Sequence, residues 1–127
     1  MKSIRHAIAL AAFLAATQTL ATTPKDYHVT TMGELIELCS VSVGDPLFEA
    51  AMGFCFGYID AALDYHVALT AGPTFDPIAC PHQDITREEV VVVVVEWSRG
   101  NPQQMDSEAP VAGVMRAVSE KWPCAGH

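Results

Sequence analysis

Four cysteines, Cys39, Cys55, Cys80 and Cys124, in a chain of 127 residues constrain this sequence more than any other feature, because all four follow what reads as a cleavable export signal. Lys2 and Arg5 give a positive start, an apolar run extends from Ala7 to Ala16, and Thr19-Leu20-Ala21 meets the small-x-small requirement for cleavage. The expected division is a signal peptide over 1–21 and one mature domain over 22–127, exported to an oxidising compartment. An even cysteine count in a short exported chain points to disulfides in an oxidising compartment rather than to metal or catalysis. The four thiols permit three pairings.

About 105 residues remain after the leader, enough for one small core that gains from stapling. The leader's apolar run is too short to span a bilayer, and the six valines Val90 to Val95 are shorter still and flanked by charge. Losing Lys2 and Arg5 takes the formal net charge from −8 to −10. Nucleic acid and anionic lipid both depend on Lys and Arg contacts, so this balance excludes them and suits a soluble protein or one with a basic partner.

The punctuation is that of helices. Thr31-Met32-Gly33-Glu34 has the form of a capping box, and Met32, Leu35, Ile36 and Cys39 follow at helical spacing. Asp45-Pro46 opens a second and longest helix, expected from Pro46 to Leu69, with Asp45 as cap and Pro46 at its first position. Its apolar stripe is Phe48, Ala51, Met52, Cys55, Ile59, Ala62, Leu63 and His66. Gly53 and Gly57 lie one turn apart on another face and are read as a place where a neighbouring helix comes close.

Ala71-Gly72-Pro73 ends that helix, and a turn-rich segment runs on through Pro77 and Cys80-Pro81. Six consecutive valines favour a strand by propensity. A second capping box, Thr86-Arg87-Glu88-Glu89, precedes them and Gly100-Asn101-Pro102 follows as a helical stop, so the segment is assigned to a buried helix. The last helix is expected from Ala109 to Lys121, with Val111, Val114, Met115, Val118 and Trp122 on its stripe. The fold class is all-α, a small single-domain four-helix fold stapled by disulfides.

Cys55-Phe56-Gly57-Tyr58-Ile59-Asp60-Ala61-Ala62-Leu63-Asp64 is the most specific stretch of the chain. With Leu38-Cys39 before it, and Ile78-Ala79-Cys80-Pro81, Ile85-Thr86 and Trp122-Pro123-Cys124 after it, it resembles the Rap/Tai immunity proteins. These are small periplasmic helical proteins that protect bacteria from amidase effectors of type VI secretion. The likeness extends from about Met32 to Cys124. Ala61 stands where members often carry glycine, and the segment between Gly72 and Cys80 looks local to this chain.

The resemblance implies a secreted peptidoglycan amidase as protein partner, inhibited sterically, and a homodimer for which the Gly53/Gly57 face and the valine helix are candidate interfaces. Gly57, Tyr58, Ile59 and Asp64 match the motif and are expected to maintain the fold. Tyr58 would bury its ring while its hydroxyl finds a partner, and Asp64 would accept bonds from a neighbouring helix end. An antiparallel hairpin of the first two helices favours Cys39–Cys55 with Cys80–Cys124, although sequence does not choose among the pairings. The stretch from Ala71 to Asp84, with Phe75, Asp76, His82 and Asp84, is the candidate partner-binding loop.

No cofactor or metal is expected, since no Cys-x-x-Cys pair exists. A catalytic thiol would need a thiolate beside a histidine, but His66 is distant in sequence and His82 adjoins a disulfide cysteine. Asp60 and Asp64, at i and i+4, are read first as a solvated helix face rather than as acid–base catalysts or cation ligands. A small enzyme is disfavoured for want of a triad, a metal cluster or a phosphate loop. The alternative function is an exported helical housekeeping protein, such as an acid-stress chaperone or envelope factor without a toxin partner.

Overall fold

The computed structural model describes residues 27–125, so the expected signal peptide at 1–21 lies outside the described residues. The elements are α1 (Met32–Cys39), α2 (Phe48–Thr70), α3 (Arg87–Gly100), a 3-10 turn (Pro102–Gln104) and α4 (Pro110–Lys121). All four helices pack on one another, and α1 against α2 and α3 against α4 make the broadest contacts. Among the described residues there is no strand.

Both expected capping boxes form. At α1 the Glu34 N–H donates to Thr31 Oγ1 at 3.3 Å and the Thr31 N–H donates to Glu34 Oε2 at 3.1 Å. The two free amides beyond it also find acceptors: Met32 N–H donates to the Glu108 carbonyl at 2.8 Å, and Gly33 N–H to that of Met105 at 2.9 Å. The start of α1 is thus tied to the segment that leads into α4, which leaves no buried donor unpaired there. At α3, Thr86 and Glu89 exchange the same pair of bonds at 3.2 and 2.7 Å.

The valine run is helical. Val90, Val91 and Val94 enter the core with Trp97, while Val92 is 54% exposed, so the helix is amphipathic rather than buried all round. Trp97 sends its indole N–H to Glu120 on α4 at 3.0 Å, which satisfies the donor without taking the ring out of the core. The core is closed by Met32 and Leu35 from α1, Cys55 and Ile59 from α2, Val94 from α3, and Val114 and Val118 from α4.

Three local expectations are corrected. The second helix begins at Phe48, not Pro46: the Asp45 side chain accepts from Leu47 N–H at 2.7 Å and its carbonyl from Phe48 N–H at 3.0 Å. Asp45 therefore closes a tight turn one step ahead of the helix. On α4, Val111 is exposed and the buried stripe is Pro110, Gly113, Val114, Ala117 and Val118.

The third correction concerns glycine. Among the described residues no neighbouring helix approaches Gly53 or Gly57; a Cβ on either would meet open space. The close approach is at Gly113, where an added Cβ would lie 2.5 Å from Sδ of the fully buried Met32. The thioether of α1 occupies the hollow that this glycine leaves in α4.

Candidate functional site

Two disulfides frame the helices. Cys39 at the end of α1 bonds Cys55 in α2, with Cα atoms 5.2 Å apart, and Cys80 in the α2–α3 connection bonds Cys124 beyond α4, with Cα atoms 5.0 Å apart. The first is a core staple, since Cys55 is wholly buried and Cys39 nearly so. The second straps the connecting loop to the end of the chain, reinforced by Cys80 N–H donating to the Trp122 carbonyl at 2.8 Å.

Between Thr70 and Arg87 the chain has no regular structure, and its anchoring is concentrated in a few places. Ala79 is buried, Cys80 is bonded as above, and the His82 ring meets the Trp122 ring edge-on at 6.2 Å between centroids. A further tie comes from α2: His66 Nε2 accepts the Ile78 N–H at 3.2 Å. That bond requires a neutral imidazole with its free lone pair on Nε2. Sequence reasoning placed His66 on the apolar stripe and missed this role, for which the local pattern offers no signal.

Phe75, 58% exposed, and the exposed Asp76 stand in the part of the loop before these anchors. His82 and Asp84, also exposed, follow Cys80. The four loop residues singled out in the sequence are therefore all at the surface of one segment, divided by the Ala79–Cys80 anchor. A groove of about 310 Å³ opens between the end of α2 and this loop, lined by Leu63, His66, Val67, Thr70, Pro77 and Ala79 among others.

The motif residues occupy different places. Ile59 is fully buried. Tyr58 is half-buried, its ring 6.1 Å from that of Phe54, which in turn lies 5.8 Å from Tyr27. Burial pushes the Tyr58 hydroxyl's pKa up, offset in part by the backbone N–H of Val111 in the first turn of α4. That amide is one of the orphan donors of a helix whose N-cap residue, Ala109, supplies no side-chain bond. Gly57 and Asp64 are exposed.

Among the described residues the Asp64 carboxylate has no hydrogen bond or ion pair, so it does not receive a helix end as the sequence suggested. Asp60 parts company with it. Its carboxylate pairs with Arg87 at 3.2 Å, while the Arg87 guanidinium also lies 5.6 Å above the Phe56 ring. The pair is well exposed and contributes at most about 1 kcal/mol. Among the described residues no three His, Cys, Asp or Glu side chains converge as a metal site. No helix there is long and apolar enough to cross a membrane.

This helical, doubly stapled frame is matched from residue 31 to residue 124 by the family model described as Rap1a immunity proteins. The chain belongs to that family. The match begins at the Thr31 cap of α1 and ends at Cys124, so it takes in all four helices and both disulfides. Membership makes the chain an immunity protein and not an enzyme, with a secreted effector as its protein partner. No curated protein and no solved structure matches the chain.

Proposed function

We propose that this member of the family acts in the periplasm, where it binds a peptidoglycan amidase delivered by type VI secretion and blocks the amidase cleft sterically. Family membership supports the immunity role, and two disulfides suit an oxidising compartment. The observation that carries the reading is the α2–α3 loop, exposed at Phe75 and Asp76 yet held by Cys80–Cys124 and by His66. A loop so held meets a partner with less ordering cost than a free one. Phe75 would enter the cleft as an apolar wedge, with Asp76, His82 and Asp84 as polar contacts around it. The mature chain from residue 22 onward would form one domain.

The test is inhibition of a purified amidase effector of type VI secretion, with peptidoglycan peptides as substrate. The wild-type protein should abolish hydrolysis at equimolar ratio, and a Phe75→Ala/Asp76→Ala variant should inhibit at least about tenfold less well, the loss typical of a central aromatic anchor. Undiminished inhibition by that variant would remove the loop from the interface. A strain lacking the gene but insensitive to its neighbours' secretion would exclude immunity altogether.

A further inference from the structure

The last buried residue of α2 is Ala62, yet the helix continues for two more turns, to Thr70. A helix of this length is about 35 Å long, and beyond Leu63, which still packs against the core, roughly its final 10 Å overhangs it. The loop folds back beneath that overhang through the His66–Ile78 bond. The projecting tip is unusually apolar. Of the eight large apolar side chains that stand exposed among the described residues, five belong to it: Tyr65, Val67, Leu69, Phe75 and Ile78. Scattered apolar residues need no explanation, but five gathered within fourteen positions do.

The charge around the tip is equally one-sided. From Asp60 to Thr86, the stretch that holds the tip, the sequence contains no Lys or Arg at all, against four carboxylates: Asp60, Asp64, Asp76 and Asp84. The four cations of the described residues, Arg87, Arg99, Arg116 and Lys121, all lie on α3 and α4. Asp60 is engaged by Arg87. Asp64 and Asp76, exposed and without an ion-pair partner among the described residues, border the tip from the helix and from the loop.

We infer that the overhanging end of α2 and the loop beneath it form one insertion element, and that its occupant is a different protein presenting an apolar hollow rimmed by Lys or Arg. This rests on the immunity reading only for the partner being a protein. A second copy of this chain is a poor occupant: a two-fold contact through the tip would set Asp64 and Asp76 against their own counterparts with no cation to separate them. A nucleic acid or an anionic membrane would be repelled by the same charges. An apolar hollow with a cationic rim satisfies both features of the tip at once.

The experiment needs no identified partner. The folded, oxidised protein, labelled with nitrogen-15, is titrated with the peptide Lys-Trp-Lys and separately with Glu-Trp-Glu. Lys-Trp-Lys should shift the amides between Asp64 and Ile78, and its affinity should fall at least about threefold as salt is raised from about 20 to about 300 mM, through screening. An Asp64→Lys/Asp76→Lys variant with an unchanged melting temperature should lose those shifts, whereas a Glu96→Lys/Asp106→Lys variant should keep them. Equal binding of Glu-Trp-Glu at the tip, or Lys-Trp-Lys shifts centred on α3 and α4, would overturn the inference. So would sedimentation showing a dimer whose tip amides are the ones protected. Those failures leave inhibition of the amidase untouched, and a failure to inhibit it leaves this titration untouched.

Discussion

Ile78 gives its backbone N–H to Nε2 of His66, twelve residues earlier and on a different element, at 3.2 Å. The bond joins the tip of the loop to the overhanging end of α2 where the strap at Cys80 does not reach.

Replacing His66 with Phe keeps the ring and removes the acceptor. A single neutral hydrogen bond is worth about 1 kcal/mol, so the Ile78 amide should exchange with solvent about fivefold faster. Global stability should move by less than that. Hydrogen exchange followed by NMR reads both quantities, and an unchanged Ile78 rate would show that the loop is held by other contacts.

Gly113 and the pair Gly53 and Gly57 should respond to alanine in opposite directions. At Gly113 the new Cβ would force the buried Met32 thioether to move aside, and a loss of about 1–3 kcal/mol is expected. Gly53 and Gly57 are interior to α2 with open space above them, so each alanine should stabilise by about 0.5–1 kcal/mol. Urea denaturation of the three variants separates the two cases.

Acid should act on the helix starts. The Glu34 carboxyl is held below its ordinary value of 4.5 by the Thr30 backbone N–H, then by the Thr30 hydroxyl and the Thr31 N–H, and Glu89 is lowered first by the Thr86 backbone N–H. A depressed carboxyl adds stability that is fully present above its unfolded value and lost as pH falls through the lower, folded one. Stability should therefore decline from about pH 4.5 downward, and Glu34→Gln/Glu89→Gln should flatten that limb in denaturation measured from pH 6 to pH 2. Tyr58, raised above 10.0, works at the other end: the unfolded chain ionises first, so stability falls as pH rises past about 10.

The two disulfides should contribute unequally. Loop-closure entropy gives about 3 kcal/mol for Cys39–Cys55, separated by 16 residues, and about 4 kcal/mol for Cys80–Cys124, separated by 44. Paired Cys→Ala variants measured by guanidinium denaturation test this ordering. The Cys80–Cys124 pair should also speed exchange at Ala79 and Cys80, which the core pair should not.

The sequence was most legible where a bond is local. Thr31 with Glu34 and Thr86 with Glu89 lie three residues apart, and each cap resolved its helix; the second even overrode the strand propensity of six valines. Local pattern failed where the partner is remote. Gly53 and Gly57 have the spacing of a helix contact, but whether another helix of the same chain arrives depends on packing, and none of the described ones does. The close approach is at Gly113 against Met32; Gly113 and Ala117 on the buried stripe of α4 are equally small and one turn apart, and local pattern does not single them out. For the site, the exposed loop residues could be read from composition, whereas His66 gained its role only when the loop folded back onto α2.

The disulfides also divide the chain into two covalent rings in series. Residues 39–55 close one and residues 80–124 the other, and no bond links the first ring to the second except the main chain of residues 56–79. That single bridge carries the overhanging end of α2, His66, Phe75 and Asp76. A protease cut inside either ring leaves the oxidised molecule in one piece, while a cut in the bridge parts it into two. The segment offered to a partner is thus also the one stretch between the helices of this fold whose scission no disulfide can mend.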